Sequence, residues 1–158
     1  MATFFDSSML LGDDRLPGYN SRACERLALS DNEVMVICQR NNIWLDAFRL
    51  KQLMNVRDIS LHGIGLSGSL PFRPKDKWLV TSPSGEQQMC AYVIWGQPDR
   101  NFPDCYRGGL VWKDIPSLAT FMQWEPYLHL NQLPAFHEQV AVLDVLLPRH
   151  NAKRRSLL

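Results

Sequence analysis

The feature that most constrains this chain is a pair of apolar-rich runs, Trp78–Ser82 and Gln87–Trp95, separated only by Pro83-Ser84-Gly85-Glu86. Two β-prone runs joined by a four-residue Pro/Gly turn predict a hairpin, because so short a link lets neighbouring strands pair only antiparallel. Val34-Met35-Val36-Ile37-Cys38 is a continuous apolar run bounded by polar residues and reads as a buried strand. Val56–His62 alternates, with Ile59 one way and Asp58 and Ser60 the other, and reads as another. Leu110-Val111-Trp112 and Tyr127–Leu130 are shorter strand candidates.

Helical spacing appears between them. Asn42 is placed to cap a helix in which Ile43, Ala47, Leu50 and Met54 share a face, widened by Trp44, Phe48 and Leu53 and stopped by Asn55. Asp114 caps a second helix through Gln123, with Pro116 in its first turn and Leu118, Phe121 and Met122 inward. Ser21–Leu29 is a third, short one. For His137–Leu147, Pro134 favours a helix, whereas Val140, Val142 and Val145 favour a strand, the reading we prefer; Pro148 ends it either way. Residues 63–74 and Gly96–Gly109 read as loops from their glycines and prolines. Strict β-α-β alternation is missing, so the expected class is α+β, a mostly antiparallel sheet packed by two or three helices. One globular domain is expected over 1–147, with a basic C-terminal tail at 148–158.

Composition narrows the function classes. The 158 residues are 46% hydrophobic and 21% charged, values of a folded chain rather than a disordered one. The 17 basic and 16 acidic side chains are unevenly spread: Arg149, Lys153, Arg154 and Arg155 fall in the last eleven residues with no acid among them. The body then holds 13 basic against 16 acidic residues, a net −3, which attracts neither nucleic acid nor anionic lipid as a whole. No run approaches the roughly 20 apolar residues of a membrane span. The first residues lack a secretory leader, and Asp6, Asp13 and Asp14 oppose a mitochondrial one. The expected compartment is intracellular, cytoplasmic or, through the basic tail, nuclear. Cys24, Cys38, Cys90 and Cys105 form no C-x-x-C pair and read as reduced thiols, Cys38 and Cys90 as small buried hydrophobes, with no metal and no cofactor expected.

Several local patterns carry chemistry on paper. Gly63-Ile64-Gly65-Leu66-Ser67-Gly68 fits the G-x-G-x-x-G of dinucleotide sites, but that motif needs a helix to start within it. Pro71 and Pro74 forbid one, so the segment reads as a flexible connection. Histidines 62, 129, 137 and 150 lack metal-ligand spacing. A nucleophilic site would draw on Cys90 or Cys105 with His62 or His129, and the 96–109 loop offers Asp104, Cys105, Tyr106 and Arg107 together. Its structural reading is a loop anchored by Phe102 and Tyr106. Trp44, Trp78, Trp95 and Trp112 read as core, and Trp124 as the exposed one.

The tail holds the remaining signal. Arg149, Lys153, Arg154 and Arg155 suit phosphates or an import receptor, and Ser156 with Leu158 at a free carboxylate suits capture by strand addition. The expected function is a non-catalytic interaction protein that binds another macromolecule through this tail. A protein is the expected partner, with nucleic acid as the alternative and no membrane span. The catalytic alternative is a small cysteine/histidine enzyme built on the 96–109 loop.

Overall fold

A computed structural model describes residues 25–29, 34–40 and 51–155, the last nine of these by backbone alone. Its strands are β1 Leu27–Ala28, β2 Met35–Arg40, β3 Lys51–Ile59, β4 Gly63–Gly68, β5 Lys77–Thr81, β6 Gln88–Pro98 and β7 Tyr106–Trp112. Neighbours pair antiparallel in the order β3-β2-β5-β6-β7-β4, and β4 returns to β3, closing a six-stranded barrel. β1 lies on the same edge of β3 as β2, beside Asp58 and Ile59. Closure leaves no open run of unpaired backbone between the six strands.

Alternation along each strand sets the interior. Val36 pairs Met54, Cys38 pairs Val80, Trp78 pairs Ala91, Val93 pairs Leu110 and Leu66 pairs Val56, and all of these are buried. The predicted hairpin is present as β5–β6, its turn closed by Gly85 at φ 79° and a bond from Gly85 N to Ser82 O. The predicted apolar strand is present as β2, but it is buried on one face only: Val36 and Cys38 point inward while Met35 and Ile37 are exposed.

Each end of the barrel is closed differently. At the end formed by the β3–β4 turn sit α1 Leu118–Met122 and α2 Leu133–Arg155, linked by single 3-10 turns at Glu125–Tyr127 and Leu130–Gln132. Phe121 stacks on Phe136 at 5.0 Å, and both join Trp124, Leu143, Leu61 and Trp112 in the core. Gln139, buried on α2, accepts from Leu61 N and donates to Glu25 O, tying helix, turn and β1 together. At the other end the 69–76 loop inserts Phe72, whose ring lies over Gly108 and 5.5 Å from Trp78. Arg40 holds that loop through Pro71 O and Asp76 while its guanidinium stacks over Trp78.

The architecture is therefore mostly β, a closed barrel, and the expected α+β sheet packed by helices is incorrect. The main reason is that two glycine- or polar-rich segments are wall rather than loop or helix. The helix expected to run to Met54 is contradicted at 51–54, which begin β3: Met54 and Val56 face inward while Leu53 is 61% exposed, a period of two. Residues 41–50 lie outside the described residues. β4 occupies the first half of the loop expected at 63–74, and β6 and β7 take both flanks of the one expected at 96–109. The short helix expected to end at Leu29 is contradicted by β1, its start lying outside the described residues. Residues 127–130 form no strand beyond a single bridge from Leu128 to Leu29.

The strand preferred over 137–147 is helical, because Phe136, Gln139 and Leu143 are buried at helical spacing and leave Val142 and Val145 outside. That helix continues through Pro148. α1 is capped by Ser117, whose Oγ accepts from Thr120 N, rather than by Asp114. Met122 is partly exposed, and Trp124, expected outside, is 1% exposed. Among the described residues no helix is long and apolar enough to cross a membrane.

Candidate functional site

One row across the outer wall departs from regular pairing at both its ends. In β3 the register shifts between Val56 and Asp58, so that Arg57 is an extra residue; in β6 it shifts between Val93 and Trp95, with Ile94 extra. Such insertions bend a strand and re-aim its side chains. Here both end on the same row, Asp58–Gly65–Gly109–Trp95, which Ala28 of β1 continues beyond Asp58. The two glycines form its floor. A Cβ on Gly65 would sit 2.6 Å from Asp58 Oδ2, and one on Gly109 would overlap the Trp95 indole. Asp58 and Trp95 thus lie down over the glycines from opposite sides, which only residues without a side chain permit.

Charged groups gather on this floor. Arg26, just ahead of β1, donates from Nη1 to Asp58 Oδ1 at 3.3 Å while its side chain stays 57% exposed. Arg57 reaches Asp99 at 3.7 Å, and Asp99 is buried and fastened, accepting from Asn101 N while its own N–H bonds to Cys105 O. The adjoining row, Asn55–Ser67–Arg107–Gln97, is polar throughout, and Arg107 Nε is buried with no hydrogen-bond partner among the described residues. Ion pairs as open as Arg26–Asp58 stabilise by about 0–1 kcal/mol. Their guanidiniums can therefore exchange a carboxylate for another anion at small cost.

Of the loop residues singled out in the sequence, only Arg107 belongs to this face. Asp104 is exposed at the loop tip with φ 61°, Cys105 is a half-buried free thiol, and Tyr106 points inward against the core. Cys105 and His62 do not come together. Cys105 precedes Tyr106, paired with Gly68 at one end of β4, while His62 precedes Gly63 at the other. The strand between them spans roughly 17 Å at 3.3 Å per residue.

Neither Cys38 nor Cys90 is activated. Burial pushes the Cys38 thiol up to about 12. Burial also raises Cys90, a half-buried residue on the outer wall rather than in the core, against the lowering effect of Lys77 and Lys113. His137 faces Glu125 at 3.3 Å in an exposed pair. Among the described residues no three His, Cys, Asp or Glu side chains are grouped as a metal would need.

Arg149, Lys153, Arg154 and Arg155 fall on the last two turns of α2, described by backbone alone, and Ser156 and Leu158 lie outside the described residues. Sequence reasoning passed over Arg26, Arg57, Asp58, Gly65, Gly109 and Asp99 as a group. The available signal was glycine inside strand-like alternation, at 63, 65, 108 and 109, which marks a bulge or a close approach as readily as a loop. Comparison with known proteins adds no relative: no family model, no curated protein and no solved structure matches the chain.

Proposed function

We propose that this protein is a non-catalytic binding module whose glycine-floored outer wall takes a nucleotide. The observation that carries the reading is the convergence of two single-residue insertions on one row, aiming Asp58 and Trp95 at each other across Gly65 and Gly109 with Arg26 held at Asp58. An indole face stacks on a planar base, and a carboxylate accepts the base's N–H groups. The guanidinium fork of Arg26 matches phosphate oxygens in a way an ammonium does not. The raised Cys38 and Cys90 thiols support binding rather than covalent chemistry. This reading keeps the expectation of a non-catalytic binding protein and moves the contact from the C-terminal run to the barrel wall.

The test is isothermal titration of the full chain against a panel of linear and cyclic ribonucleotides, with inorganic phosphate and nucleosides alongside. At least one nucleotide is expected to bind more tightly than either phosphate or its nucleoside, since the wall has partners for both halves. Arg26→Ala and Asp58→Ala should each weaken it by about tenfold, the loss of one charge-assisted hydrogen bond. A panel without binders, or binding untouched by both substitutions, would overturn the reading.

A further inference from the structure

We propose that the exposed face of α2 is a contact between two copies of this chain, an antiparallel helix pair about a two-fold axis near Val145. The observation is independent of the nucleotide reading. α2 is 23 residues long, roughly 34 Å at 1.5 Å per residue, and over its described side chains, which end at Leu146, the buried positions Phe136, Gln139 and Leu143 lie on the side facing the barrel. On the opposite side, Glu138, Ala141, Val142 and Val145 are all exposed and are spaced three or four residues apart. Val142 is 42% and Val145 58% exposed, an apolar centre on a helix face that the barrel does not cover. Positions 149, 152 and 153 continue the same face by helical spacing, bringing an arginine, an alanine and a lysine.

Charge along that face selects the occupant. Its acid, Glu138, lies before the valines, and its bases, Arg149 and Lys153, lie after them. Laid antiparallel on a second copy, the helix brings Glu138 opposite Lys153 and Val145 near the two-fold axis, so each copy supplies what the other lacks. A parallel pairing sets like charge on like. Self-complementarity of this kind is what an isologous two-fold interface requires, and alanines at 141 and 152 let the helix backbones approach. A single helix pair is at the small end of specific interfaces, so the expected dissociation constant is in the micromolar range, about 1–100 μM.

Sedimentation velocity of the full chain over a concentration series tests this, with tryptophan emission reporting that the barrel core stays folded. A concentration-dependent monomer–dimer equilibrium is expected. Val142→Glu with Val145→Glu should raise the dissociation constant at least tenfold, about 1.4 kcal/mol or more. Glu138→Lys alone should weaken the dimer several-fold, and Glu138→Lys combined with Lys153→Glu should restore it. A chain that is monomeric up to about 200 μM, above the expected range, overturns the proposal. A dimer indifferent to the double glutamate variant places the contact elsewhere and does the same. Failure of the charge swap to restore what Glu138→Lys removes overturns the antiparallel arrangement.

Discussion

Glycines on the inner and outer faces of one wall, sometimes adjacent in sequence, answer to different neighbours. Gly68 and Gly108 face inward, where a Cβ would strike the Met54 sulfur and the Phe72 ring. Gly65 and Gly109 face outward, where it would meet the Asp58 carboxylate and the Trp95 indole. The inner pair makes room for a core that is already closed, whereas the outer pair clears a floor for two side chains still partly open to solvent. The same residue type therefore serves folding on one side of the sheet and the candidate site on the other. Substitutions at neighbouring positions should accordingly separate stability from binding.

The largest effect is expected at Gly108→Ala. Phe72 is buried among Trp78 and the β6–β7 backbone and has nowhere to move, so the added methyl should cost about 2–3 kcal/mol, in the range of core overpacking. Urea denaturation measures it, and a loss well below 1 kcal/mol would break the comparison. A second contrast is between thiols. Cys38 faces inward with its thiol pushed up to about 12, whereas an unfolded thiol ionises near 8.5. The unfolded chain loses that proton first, so the stabilisation is complete below about pH 8.5 and declines by about 1.4 kcal/mol per pH unit above it, until the folded thiol also ionises. Stability curves between pH 8 and 11 should show this slope, and Cys38→Val should flatten it; Cys90→Val, on the outer wall, should flatten it less.

Gly109→Ala comes next. Trp95 is half-exposed and can swing outward, so about 1 kcal/mol of stability should go, while nucleotide binding falls about tenfold because the indole leaves the floor. Equal losses of stability at Gly108 and Gly109 would mean that the outer row is simply core. The smallest structural effect belongs to Arg26→Ala. An exposed pair of this kind contributes about 0.5 kcal/mol or less, so thermal unfolding should barely shift although nucleotide binding weakens about tenfold.

How much of this was legible follows from where each interaction partner sits in the chain. The β5–β6 hairpin was readable because turn chemistry and both strands lie within one short window, and β2 because a run of five apolar residues has few other uses. The glycine row was not. Its members come from positions 58, 65, 95 and 109, and nothing near Gly65 announces that Gly109 will be its neighbour. Read locally, G-x-G-x-x-G before two prolines looks like a flexible link, since glycine signals freedom and close approach alike. The period of α2 was equally open, because valine at 140, 142 and 145 suits a strand until Phe136, Gln139 and Leu143 are given a barrel end to cover.

By itself, then, the amino-acid order determined the composition of a folded chain, one local hairpin, one apolar strand and a C-terminal run whose bases stand apart from acids. Tertiary structure alone decided that the sheet closes on itself, that Trp124 goes inside, and that Asp58, Arg26 and Trp95 share a floor. The physical reason is range. Turn geometry and side-chain alternation act over a few residues, whereas the return of β4 to β3 and its pairing with β7 depend on the packing of the whole interior.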